Sequence, residues 1–314
     1  MVFAVIAALS YGIGDFSGAQ ASRTRSPLWV LWVARLTSLV ALCGPMLLWN
    51  NGVVIGHDLL LGSLGGALIS TAIWLMYQSM TLAPIHFATP IAAVLASAVP
   101  VAVGTVLGER PKAIVAGGVV LSILSVGVIS GLSRVSFSAH TKNERLALQL
   151  AATAGVLYGL HSVVFSEISD RSGWWPVLAE QTTGFVGALV LWLVLERRKA
   201  YTNTPVLQQK TSDSIKLPRT TNSPVGWNVR RQGSPFDPTV GLAMLAGVFE
   251  VLAVVAFLEG SRRGLLSVVG AVVALYPAPT ILLAMVVLRE RPTRRQGIGL
   301  VIAGIALVAI GAGS

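Results

Sequence analysis

Apolar residues fill this chain in long unbroken blocks rather than in stripes. Ten blocks, near 2–21, 28–49, 59–80, 84–107, 113–131, 146–166, 176–195, 239–258, 265–288 and 296–312, are separated by polar breaks. Each approaches the roughly 20 mainly apolar residues that a helix needs to cross a bilayer. Almost none carries the charged stripe of a helix with one face in water, which argues against a large soluble protein. The blocks are also too long and continuous for the alternation of a membrane β-barrel. The pattern predicts an all-α membrane protein with ten transmembrane helices.

The blocks repeat. "TVLGERPKAIVAGGVVL" from Thr105 and "MVVLRERPTRRQGIGLV" from Met285 superimpose at a shift of 181, which also lays Leu107 on Leu288, Gly66 on Gly247, Ala93 on Ala274 and Gly118 on Gly299. Upstream, a shift of 147 lays Tyr11 on Tyr158 and Gly12 on Gly159. The two shifts differ because a long polar segment, 197–237, occurs only in the second half. The expected organisation is two five-helix repeats, 1–135 and 140–314, the second containing the basic loop 197–237. Five is odd, so the second copy enters the membrane from the opposite side, giving two inverted five-helix repeats.

Composition agrees with the pattern. Charged residues make up 11% of the chain and hydrophobic ones 54%, whereas soluble domains are about a quarter charged. No Lys or Arg precedes Arg23, so the first block is expected to remain as a span rather than act as a cleaved signal peptide. Cys43 is the single cysteine and lies in the second block, so it has no partner for an intramolecular disulfide.

The net charge of +10 is uneven. Breaks after blocks one, five, seven and nine hold 17 Lys and Arg, eight of them in 197–237; the opposite breaks hold five. The positive-inside rule puts the richer face in the cytoplasm and both termini outside. The loop 197–237 is rich in Pro, Ser, Thr and Asn and lacks apolar periodicity, so disorder is expected there. Its charge fits topology and anionic lipid better than nucleic acid.

With ten blocks, a 5+5 repeat, the paired "LGERP" and "LRERP" and the opening "YGIGDFSGAQASR", in which Arg35 follows early in block two, the chain resembles the EamA-like members of the drug/metabolite transporter superfamily. The resemblance covers nearly everything except 197–237. It implies a transporter of amino acids, drugs or other metabolites in the plasma membrane, without cofactor. The second half departs from the first by having Gln181 and Thr182 where Arg35 would fall.

Each Glu-Arg-Pro motif sits between two blocks, where structural roles suffice. Arg110 or Arg291 would meet the carbonyls ending one helix, and Pro111 or Pro292 would open the next. Glu109 or Glu290 would gain from that next helix's N-terminal dipole. A gating contact is the competing reading.

Ionisable groups inside blocks are costly and mark candidate function. Glu250 lies mid-block in "AGVFEVLAVV", and Tyr276 lies at similar depth in "ALYPAPTIL", where Pro277 and Pro279 would kink the helix. Tyr11 and Tyr158 share that depth, and together these four would form a substrate pocket, against the plainer reading of interhelical packing. Trp74, with Gln78 and His86, would line an entrance. Asp15 and Arg35 lie at comparable depth beside the short first connection and would form an ion pair, either as a strut or as a coupling site. His161, Glu180 and Gln181 occupy the related region of the second half.

The expected function is secondary transport of small organic metabolites by alternating access, as an exporter or exchanger. Glu250 or Asp15 would couple flux to protons, with uncoupled facilitation as the alternative. No Walker A pattern, HExxH motif or nucleophile–base set marks an enzyme or a metal site. Expected partners are a small-molecule solute, the lipid bilayer, a proton and a second copy of the chain in a homodimer. A non-transporting scaffold or receptor subunit is the competing class.

Overall fold

The structure is a computed structural model and describes residues 1–82, 85–130, 142–202, 237–288 and 293–313. Among these residues there are helices and turns and no strand. The helices are α1 Val2–Ser22, α2 Pro27–Trp49, α3 Gly56–Leu82, α4 Ile85–Val106, α5 Ala113–Ser130, α6 Lys142–Ser166, α7 Trp175–Thr202, α8 Pro238–Ser261, α9 Leu266–Val273, α10 Pro277–Val287 and α11 Arg294–Gly313. Eight stretches are long and apolar enough to cross a bilayer, with Leu266–Val287 counted as one; α4 and α5 add the shorter apolar stretches Ile91–Val106 and Ala113–Val128. Outward positions such as Val40, Leu47, Leu60, Val190, Leu252 and Val308 are exposed. In a membrane protein that belt faces lipid.

Local chemistry sets the helix ends. Ser26 accepts a hydrogen bond from the Trp29 N–H at 3.3 Å, and Pro27 opens α2 without a lost donor. Asp237 and Pro238 repeat this arrangement at α8, where Asp237 accepts from the Thr239 N–H at 2.9 Å. The ninth apolar block is two helices rather than one kinked helix. Pro277 and Pro279 have no N–H to give, so the backbone tightens: Leu275 bonds to Val272 and Tyr276 to Val273. Helix α1 lies against this break, and a side chain at Gly12 would overlap the Pro279 ring and the Tyr276 carbonyl.

Packing does not follow chain order. Helix α1 packs on α8 and on the broken span α9–α10, while α6 packs on α3 and α4. Helix α2 packs on α8 and α7, and α7 on α3 and α2. Helix α4 meets α9, and α5 meets α11. Exchanging the first five blocks for the second five converts each of these pairings either into another on the same list or, for α2 with α7, α4 with α9 and α5 with α11, into itself. The exchange extends to atoms. A side chain at Gly247 would strike the Ala34 carbonyl, and one at Gly66 would strike the Glu180 carbonyl.

The motif Glu109, Arg110, Pro111 forms a turn, with a different partner from the one expected. The end of α4 is closed by backbone: Gly108 takes φ +89°, and the Glu109 N–H reaches the Gly104 carbonyl at 2.9 Å. Arg110 is exposed, and Pro111 precedes the first turn of α5. The Glu109 carboxylate accepts from the N–H groups of Leu266 at 2.6 Å and Ser267 at 2.9 Å. It therefore caps α9 rather than favouring its own following helix, because the start of α9 has free donors within reach. Glu290, Arg291 and Pro292 lie outside the described residues, as do 203–236 of the basic loop.

Candidate functional site

The helix arrangement leaves a central cavity of about 150 Å³ where both halves of the chain meet. Tyr11 and Asp15 reach it from α1, Tyr158 and His161 from α6, Glu250 and Phe257 from α8, and Tyr276 from the break in the ninth span. The four residues expected to converge, Glu250, Tyr276, Tyr11 and Tyr158, thus share one wall system. Trp74 does not line the cavity; Ile69 and Ile73 of its helix do, so the entrance role expected for Trp74 has no support here.

The charged pairs differ from those expected. Asp15 and Arg35 do not pair. Arg35 is fully buried and bonds through Nη1 to Glu250 at 2.8 Å and to the Gln181 Oε1 at 2.8 Å. The reason lies in the packing: α2 turns towards α7 and α8 and touches α1 little. Arg35 and Gln181 stand at matching positions of the two halves, so they meet where α2 and α7 cross. Two arginines in that place would face one another, which explains why the second copy carries an amide. Close by, the His161 Nε2 lies 3.2 Å from Glu180, and both residues are buried. Asp15 is exposed to the cavity and forms no ion pair among the described residues. Among those residues no group of three or more His, Cys, Asp or Glu could hold a metal ion.

Bonds between connections gird one end of the helix bundle. The Trp174 N–H reaches the Asn50 Oδ1 at 2.9 Å, the Val53 N–H reaches the Arg171 carbonyl at 2.8 Å, and the Trp175 indole reaches the Gly52 carbonyl at 3.1 Å. Arg262 donates to the Ser169 and Gly173 carbonyls, each at 2.8 Å, and pairs with Glu259 at 3.1 Å. Glu109 adds its clamp on α9 at the same face. Sequence reasoning treated Arg262 only as a topological charge and missed Asn50 and Glu259. The one local signal was an acidic residue three and four positions before two arginines at a helix end. The cavity wall runs from Gly18 and Val30 toward the opposite face to Phe257 and Gly270 toward this one, each within a turn or so of a helix end. The opposite face has bonds of its own, Thr24 to Thr239 at 2.8 Å and Arg25 to Asp237 at 3.0 Å.

Residues 218–312 match the model of the EamA-like transporter family. That family, within the drug/metabolite transporter superfamily, groups membrane transporters of small solutes. No curated protein matches the sequence. A solved crystal structure aligns with 99% of this chain and 96% of its own at TM-score 0.70 and 17% identity. At that identity the likeness is one of fold: the whole chain, and not only its matched segment, has a known multi-helix architecture.

Proposed function

We propose that this EamA-like chain is a secondary transporter of small organic solutes, working by alternating access between two inverted halves. The observation that carries the reading is a cavity with two carboxylates in a largely apolar wall at the junction of the halves, with bonded connections girding the bundle beyond it. The exchange relation among helix pairs supports the inversion, since a scaffold with two equivalent packings can close at either end. The break in the ninth span places irregular backbone beside the cavity, where it is tolerated in a membrane.

The face of the girdle is the one with few Lys and Arg. By the positive-inside rule it is the outer face of the membrane, so opening the girdle would release solute outward.

Flux through the purified protein in liposomes tests the reading. Solute uptake that saturates and depends on the protein is expected. A pH gradient that speeds it would mark proton coupling, and indifference to the gradient would mark facilitation. Absence of flux across amino acids and small amphipathic solutes would return weight to a scaffold.

A further inference from the structure

The charges around the cavity are unequal in a way that selects a solute. Two carboxylates line it, Asp15 and Glu250. Glu250 is neutralised by Arg35 at 2.8 Å, and the His161 imidazole is engaged by Glu180 at 3.2 Å. Asp15 has no ion pair among the described residues and is exposed to the cavity. A lone carboxylate within a span is expensive and is compensated by a partner or a ligand.

Among the described residues, no lysine or arginine lines the cavity. Arg35 is 0% exposed and does not line the cavity. Its Nη1 serves Glu250 and Gln181, and its Nε lies against Gly184 of α7, away from the wall. Nε and Nη2 have no hydrogen-bond partner among the described residues, but the whole side chain is sealed behind the wall, so a solute carboxylate or phosphate meets no guanidinium at the cavity surface. Apart from Ser162 the rest of the wall is apolar or aromatic, with Tyr11, Tyr158, Tyr276 and Phe257 offering ring faces around the carboxylate. Rings and one carboxylate are the surroundings that hold an organic cation.

Building on the transporter reading, we propose that the solute is an organic monocation with an apolar body, its charge held by Asp15 and its body laid against the tyrosine rings. Glu250 lines the wall as well, but its charge is balanced by Arg35 and not by the solute.

Three matched probes test this: phenethyltrimethylammonium, whose charge is permanent, the anion hydrocinnamate and the neutral hydrocinnamide. Binding to the purified protein is read by tryptophan fluorescence, and flux is read separately in liposomes. The ammonium probe should bind about tenfold or more tighter than either comparator, and Asp15→Asn should remove about tenfold or more of its affinity. Asp15→Glu should keep part of it. Equal or stronger binding of hydrocinnamate or hydrocinnamide to the unaltered protein, or no binding of the ammonium, overturns the proposal whether or not the variants fold. So does unchanged affinity in a folded Asp15→Asn. Binding of the ammonium without flux leaves the cation site standing and removes the transporter reading. Flux of hydrocinnamate but not of the ammonium does the reverse.

Discussion

At the residue scale, burial decides what each charge does. Arg35 sits deep between α2, α7 and α8, where an unpaired guanidinium would be very costly; Glu250 and Gln181 satisfy part of it. Removing one partner of such a pair leaves the other buried and bare. Arg35→Met should therefore cost about 3–5 kcal/mol, while Arg35→Met with Glu250→Leu should recover most of the loss. Unfolding midpoints in detergent check this, and strictly additive losses would show that the two residues do not interact. Asp237, outside the span, behaves differently. Hydrogen bonds from Thr239, side chain first and then backbone, and from Arg25 hold its carboxyl below the ordinary range. A lowered acid stabilises the fold above its unfolded pKa and loses that contribution as pH falls through the folded one. The stability lead of the unaltered protein over Asp237→Asn should thus shrink on acidification, measured by unfolding across a pH series. A constant difference would mean the carboxylate form is not what the cap uses.

At the element scale, close approach of helices depends on particular glycines. Gly247 lets α8 rest on α2, and Gly66 lets α3 rest on α7, each against a backbone carbonyl that cannot yield. Alanine at either position should cost about 1–3 kcal/mol. Gly241→Ala, with nothing near its added carbon, should be neutral or slightly stabilising through helix propensity. Circular dichroism melts of the three variants compare them, and equal effects would show that packing is not the cause. The α9 cap is a second device at this scale. Glu109→Ala should cost about 0.5–2 kcal/mol, with Glu109→Gln between it and the unaltered protein. Loss of stability by the same amount in both variants would point to the charge rather than to the two bonds.

At the scale of the whole molecule, transport by alternating access requires the girdle to open. Val53 and Arg171 are joined across it by a backbone bond of 2.8 Å, so a disulfide between cysteines at these positions would pin it shut. In a Cys43→Ala background, Val53→Cys with Arg171→Cys should transport when reduced and stop when oxidised, with activity returning on reduction. Unimpaired flux in the fully oxidised protein would show that this face stays shut during the cycle.

Much of this was legible in the residues. Long apolar blocks determine membrane helices because an unbonded backbone cannot enter lipid, and the positions of Pro277 and Pro279 forecast trouble in the ninth span. The repeated motifs pointed to the transporter class, and the depths of Tyr11, Tyr158, Glu250 and Tyr276 to a shared pocket. Partner choice was not legible. Asp15 and Arg35 are separated by one short connection, and nothing local reveals that α2 turns away to pack on α7 and α8. Glu109 adjoins α5 in sequence and caps α9 in space. Periodicity and hydropathy act within a helix, so the sequence by itself determined which segments are apolar helices and where along each one a polar group lies. Which helices touch depends on where small residues allow backbones to close, a property of two surfaces at once. Only the tertiary structure decided that Arg35 neutralises Glu250, and so left Asp15 the unpaired charge of the cavity.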